Sequence, residues 1–138
     1  MTWLHWALWS AVFAGLTAVL AKAGVRDVDS NLATAIRTSV VLVFAWAVAL
    51  FRSSQSLGSI NGRAWLFLVL SGLATGASWL CYFRALALGE ASRVAPVDKL
   101  SVVVAMVLAA LFLGEPLTWR HWLGGILIVS GSLILAGQ

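Results

Sequence analysis

Apolar residues run along the chain in five long blocks that are separated by short polar stretches. A helix needs about 20 largely apolar residues to cross the roughly 30 Å hydrocarbon core of a bilayer, and the blocks are of that length. The pattern therefore predicts an all-α fold with five membrane-spanning helices. Their predicted ranges are 3–21, 32–51, 65–86, 94–113 and 117–136.

The polar stretches contain residues that end and begin helices. Gly114 is placed to end the fourth helix, and Pro116 lies near the start of the fifth. For the second helix, Ser30 or Asn31 is the predicted N-cap. These signals support the boundaries that the apolar pattern gives.

The composition agrees with a membrane protein and excludes several soluble classes. Of the 138 residues, 62% are apolar and 10% are charged, whereas soluble domains average about 25% charged residues. A soluble domain of this size could not bury so much apolar surface. The single Cys81 excludes an intrachain disulfide and a cysteine-based metal site. We expect a multi-pass protein of the cell membrane, which is the inner membrane if the source is a bacterium.

Tryptophan and basic residues report on orientation. If side A is the side on which the chain starts, most tryptophans fall at that surface, where the headgroups favour them. These residues are Trp3, Trp6, Trp46, Trp65, Trp119 and Trp122. Basic residues are nearly balanced, with Arg52, Arg63 and Arg120 on side A and Lys22, Arg26, Arg84 and Arg93 on side B.

This balance leaves two alternatives open under the positive-inside rule. The chain inserts one way with side B in the cytoplasm, or it inserts both ways and pairs with an inverted copy of itself. Because the basic residues are scattered singly, the net charge of +4 does not indicate a nucleic-acid partner.

Charged residues within the spans are the strongest chemical signal, because each costs about 2.5–3.5 kcal/mol near a helix centre. Arg37 lies inside the second span, either as an anchor that reaches the surface or as a cationic group facing a cavity. Asp98 and Lys99 follow Pro96, which weakens the fourth helix. Asp98 forms a structural ion pair with Arg37 or Arg84, which leaves Lys99 for solvent or a ligand, or the two charged residues belong to a substrate site.

Polar side chains also form a stripe along the third span. Ser71, Thr75, Ser78 and Tyr82 recur at helical spacing, and Trp79 lies beside them. The stripe serves helix packing or lines a cavity. In the fifth span, Gly124 and Gly131 are seven residues apart and present a notch that favours a packing seam, either within the chain or between subunits.

The sequence contains no visible catalytic constellation. His5 and His121 lie beside tryptophans and have no carboxylate at helical spacing. A glycine-rich phosphate loop and a Ser/His/Asp set are also missing from the sequence. We expect no enzyme activity, no metal site and no cofactor.

The turn Gly114-Glu115-Pro116-Leu117-Thr118, followed by Gly124, Gly125 and Gly131, resembles the closing signature of EamA-type drug/metabolite transporters. The resemblance makes residues 1–138 a single EamA-like transmembrane domain. Typical members carry two such units in inverted orientation and export amino acids or other small metabolites. The resemblance therefore implies two copies, most naturally an antiparallel homodimer.

Together these observations predict a secondary transporter, an exporter of a small polar metabolite, that works by alternating access between two inverted units. Gly124 and Gly131 would form the dimer seam. The candidate substrate-binding residues are Arg37, Thr75, Ser78, Trp79, Tyr82, Asp98 and Lys99. A small dual-topology ion channel and an accessory membrane subunit without transport of its own remain alternatives.

Overall fold

The computed structural model describes residues 2–53 and 56–137, and within these ranges it contains helices and no strand. The helices are α1 (Trp3–Gly24), α2 (Ser30–Arg52), α3 (Gly62–Leu88), α4 (Ala91–Asp98), α5 (Leu100–Leu108) and α6 (Trp119–Ala136). Among the described residues, five segments are long and apolar enough to cross a membrane: α1, α2, α3, Ala91–Leu113 and α6. The prediction of five spans is confirmed.

The fourth span is interrupted. It consists of α4, a turn at Lys99, α5 and a final wide turn of π-helix over Ala109–Leu113. Pro96 lies in α4 and has no N–H to donate to the preceding turn, so the helix is weakened just before Lys99. The predicted weak point of this span is thus a real break between two short helices.

The N-cap of α2 is Asp29, so the prediction of Ser30 or Asn31 is wrong by one or two residues. The Asp29 Oδ1 atom accepts the backbone N–H groups of Asn31 at 2.9 Å and Leu32 at 3.1 Å. Ser30 is already the first helical residue and is buried. A carboxylate at this position satisfies two open N–H groups and also complements the positive end of the helix dipole.

The turn between the fourth and fifth spans has the predicted glycine end. Gly114 adopts a left-handed conformation with φ of 68°, which an L side chain reaches only at a steric cost. Thr118 is the N-cap of α6, and its backbone N–H donates to Nδ1 of His121 at 3.0 Å. In the turn Gly114-Glu115-Pro116-Leu117-Thr118, Gly114 thus ends the fourth span and Thr118 begins α6.

The two histidines take part in helix ends. Oγ1 of Thr118 lies 2.8 Å from Nδ1 of His121, and Oγ1 of Thr2 lies 2.8 Å from Nδ1 of His5. In both places the sequence reads Thr-Trp-x-His-Trp. In each histidine, the Nδ1 atom is thus hydrogen-bonded to the threonine three residues earlier in the chain.

The chain divides into two compact units, which we describe separately. Unit 1 comprises Met1–Lys22 and Leu88–Gln138, and unit 2 comprises Ala23–Ala87. In unit 1, α4 and α5 both pack against α6, and Lys22 Nζ donates to the Gly89 carbonyl at 2.7 Å. In unit 2, the contacts relevant to function join α2 and α3. The assignment of residues 1–138 to one domain stays a prediction.

Glycine allows the close approach of α5 and α6. A Cβ atom at the buried Gly125 would come 3.1 Å from the Met106 methyl carbon. By contrast, a Cβ atom at Gly124 or Gly131 would meet no described atom within 4 Å. The Gly125 face of α6 is thus the packing seam within the chain, and the dimer seam at Gly124 and Gly131 stays a prediction.

Replacing Gly114 with alanine should destabilise the fold. The left-handed conformation costs an L-residue about 1–2 kcal/mol, so Gly114→Ala should lower the melting temperature of the purified protein in detergent. Gly15→Ala is the matched control, because Gly15 lies inside α1 and a Cβ there meets no described atom within 4 Å. An unchanged melting temperature for Gly114→Ala would contradict the left-handed turn.

Candidate functional site

The guanidinium of Arg37 in α2 lies over two aromatic rings of α3. Its guanidinium carbon Cζ lies 4.2 Å from the centroid of the Trp79 ring and 5.5 Å from the centroid of the Phe83 ring. Trp79 and Phe83 are four residues apart and therefore share one face of the helix. We call these three residues the arginine site.

The guanidinium of Arg37 has no anionic partner in its own unit. Asp27 and Asp29 are the carboxylates of unit 2, and neither forms an ion pair with Arg37 among the described residues. Stacking uses the flat faces of a guanidinium, whereas its five N–H donors point outward in the plane. The edge of Arg37 is thus the part that can meet an oxyanion.

Aromatic residues extend the arginine site along α3. The Tyr82 ring meets the buried Phe83 ring edge to face, with centroids 6.4 Å apart and planes at 73°. The predicted residues Trp79 and Tyr82 therefore both lie next to Phe83. Phe83 was not included in the site predicted from the sequence because its side chain has no polar group. Its position four residues after Trp79 does indicate that the two rings share one helix face.

The hydroxyl groups of the α3 stripe divide between two roles. Oγ1 of Thr75 donates to the Ser71 carbonyl of its own helix at 2.9 Å, as hydroxyls in apolar helices commonly do. Ser78 is exposed and lies one residue from Trp79. Thr75 therefore fits the alternative of local helix bonding, while Ser78 remains available to a ligand.

Asp98 and Lys99 lie in unit 1, at the break between α4 and α5. Lys99 Nζ lies 3.5 Å from Asp98 Oδ2, and the two side chains keep 55% and 36% of their surface exposed. This separation is longer than that of a strong charged hydrogen bond. In unit 1, Asp98 thus contacts its neighbour Lys99 loosely, and both groups can still meet a ligand.

A hydroxyl group from α6 reaches the same break. Oγ of the buried Ser132 donates to the Pro96 carbonyl at 2.8 Å. This bond was not predicted from the sequence. A serine in a span near a proline-containing span is a weak signal, because the pairing depends on how the two helices are rotated.

The five helices that are long and apolar enough to cross a membrane define a polytopic membrane protein, and charged groups within such spans are typical of solute and ion pathways. The model of the EamA-like transporter family matches residues 1–137. The chain belongs to the EamA-like transporter family, and it is a multi-pass membrane transporter.

Two relatives have transporter names. The chain is 57% identical over 136 residues to an uncharacterized transporter in the cobO 3' region of Sinorhizobium sp, covering 98% of this chain and 96% of that protein. It is 32% identical over 134 residues to the uncharacterized transporter YvbV of Bacillus subtilis (strain 168), covering 94% of this chain but 42% of YvbV. No solved structure matches the chain significantly. The family and these names indicate a transporter rather than an enzyme.

The Arg37–Trp79 contact should appear as a coupling free energy in a double-mutant cycle. A desolvated cation–π pair contributes about 2 kcal/mol, and an exposed one about 0.5–1 kcal/mol. We expect Arg37→Met and Trp79→Leu to show coupling near the upper value when unfolding is measured in detergent.

The pair Arg63 and Phe67 is the matched control, because its guanidinium carbon lies 5.9 Å from the ring centroid and Arg63 is exposed. Its coupling should be the smaller one. Equal couplings for the two pairs, or none for Arg37, would contradict the stacked geometry.

Proposed function

We propose that this transporter exports small polar metabolites such as amino acids, by alternating access, as a dimer. The observation that carries the proposal is the Arg37 guanidinium, which lies within a span over the Trp79 and Phe83 rings and forms no ion pair with a carboxylate among the described residues of its unit. A cationic edge of this kind suits the carboxylate of a zwitterionic or anionic solute, which it can bind through two parallel hydrogen bonds.

An energy comparison supports a ligand at this edge. A charge near the centre of a span costs about 2.5–3.5 kcal/mol, and a desolvated cation–π contact returns about 2 kcal/mol. The aromatic rings thus offset most of the penalty without neutralising the charge. Water or a carboxylate bound at the edge of the Arg37 guanidinium would supply the rest of the stabilising free energy, and a carboxylate is the stronger partner.

The remaining predicted residues complete the proposed recognition. Lys99 would provide a second cationic contact, and Asp98 would orient it, accept the ammonium group of a solute or exchange protons. Trp79, Tyr82 and Ser78 would contact the rest of the solute, with Thr75 in the same wall. The proposed site offers more cationic, acidic, aromatic and hydroxyl groups than are needed to bind a single carboxylate. An amino acid is therefore a suitable solute class.

A pair of inverted copies would give the two-sided site that alternating access requires. The chain aligns with 42% of YvbV, so the longer relative has room for a second unit of similar size. The near balance of basic residues between sides A and B is compatible with insertion in both directions. In the antiparallel dimer, the open face of α6 around Gly124 and Gly131 would form the seam.

Arg37→Ala and Lys99→Ala should each abolish or strongly reduce transport while the protein stays folded. Loss of a hydrogen bond to a charged group costs about 1.5–3 kcal/mol, which is roughly tenfold or more in solute affinity. The assay is the efflux of a mixture of radiolabelled L-amino acids from proteoliposomes that contain the purified chain.

Arg63→Ala is the control, because Arg63 also stacks on an aromatic ring but lies outside the proposed site. It should transport like the unmodified protein. Normal transport by both site variants would refute the site. Electrical currents too large for a carrier would indicate a channel, and no transport by the pure unmodified chain would indicate an accessory subunit.

A reporter fused to the C-terminus should be found on both sides of the membrane. We expect comparable signals from a reporter that is active only in the cytoplasm and from one that is active only outside it. Arg52→Gln removes a basic residue from side A and should shift the population toward side B in the cytoplasm. A signal from one side alone, before that substitution, would remove the antiparallel dimer.

A further inference from the structure

Ser132 uses its hydroxyl group differently from several other hydroxyls in the spans. Several donate to the carbonyl four residues earlier in their own helix, as is common in apolar helices. Those residues are Thr34, Thr38, Ser39 and Thr75. Ser132 instead donates to the carbonyl of Pro96, which lies 36 residues earlier in the chain and belongs to α4.

The Pro96 carbonyl lies at the start of the break in the fourth span. It accepts the Lys99 backbone N–H at 3.1 Å, which closes a tight turn where α4 ends. A carbonyl oxygen has two lone pairs, so it can accept the Ser132 hydroxyl in addition. The two bonds tie the turn that precedes α5 to the C-terminal part of α6.

A second contact of α6 lies on the other side of the break. Gly125, where a Cβ atom would come 3.1 Å from the Met106 methyl carbon of α5, is seven residues before Ser132 and therefore on the same helix face. One continuous helix thus holds α5 through Gly125 and α4 through Ser132. Because α6 is unbroken, it can fix the angle between the two short helices.

We infer that Ser132 is a positioning residue of the substrate site: its bond to Pro96 fixes the turn from which Asp98 and Lys99 project. The inference rests on the proposed function, because it gives Asp98 and Lys99 a role in solute binding. Ser132 itself is buried at 5% exposure and makes its bond to the backbone rather than to a solute.

Ser132→Ala removes the hydroxyl with little change in volume. Loss of one neutral hydrogen bond shifts a local opening equilibrium by about two- to tenfold. We therefore expect hydrogen–deuterium exchange of the amides of residues 97–101 to become about two- to tenfold faster. For the amino-acid mixture in proteoliposomes, KM should rise by a similar factor, with a smaller change in maximal rate. Ser130→Ala, on an exposed position of the same helix, should change neither quantity.

Pro96→Ala tests whether Ser132 acts through the weak turn at Pro96, while KM distinguishes a positioning role from a merely structural one. Alanine restores the N–H that proline lacks, so α4 gains support within its own helix. If Ser132 acts by holding this weak turn, Ser132→Ala should have a smaller effect on exchange in the Pro96→Ala background than alone. Additive effects of the two substitutions would overturn the inference.

Other outcomes separate the inference from the proposed function. Exchange like that of the unmodified protein in Ser132→Ala would overturn the positioning role, as would faster exchange with unchanged KM. If the unmodified chain moves no amino acid, the proposed function fails while amide exchange still decides the role of Ser132. Should Ser132→Ala not accumulate in the membrane, Ser132→Cys replaces it, and its weaker donor should shift exchange in the same direction.

Discussion

Lipid is the solvent of this protein, and that constraint determines which contacts can hold it together. Apolar side chains meet hydrocarbon outside the protein as favourably as apolar neighbours inside it, so burial of apolar surface does not drive helix association. Leu16 and Leu68 are accordingly more than half exposed, whereas Ser30, Thr34 and Ser132 are buried. Specificity therefore depends on a few polar bonds, glycine contacts and one stacked arginine.

The same constraint explains why Arg37 is informative. A guanidinium in a span would destabilise the fold without compensation, and the faces of Trp79 and Phe83 compensate it without supplying a counter-charge. An ion pair would have satisfied the arginine within the protein. The aromatic contact instead stabilises the residue without a carboxylate partner among the described residues, which is the condition a binding site for an anionic group requires.

The fourth span shows how a weakness in one helix depends on a neighbouring helix. Pro96 interrupts the helix, and the break places Asp98 and Lys99 between α4 and α5. The unbroken α6 contacts both halves, through Gly125 on one side and Ser132 on the other. An interrupted helix and an unbroken α6 are thus combined within unit 1, and this combination suits a segment that must hold charged groups in a defined place.

The sequence by itself determined the five spans, the glycine turn at Gly114 and the charged residues that merit attention, because apolar length, left-handed turns and the cost of charge in lipid are local properties. It misplaced the cap at Asp29 by one or two residues and did not predict the roles of Phe83 and Ser132. Those roles depend on which helix faces meet. When nearly every face of a span is apolar, periodicity gives little information about helix rotation, and only the tertiary structure decides it.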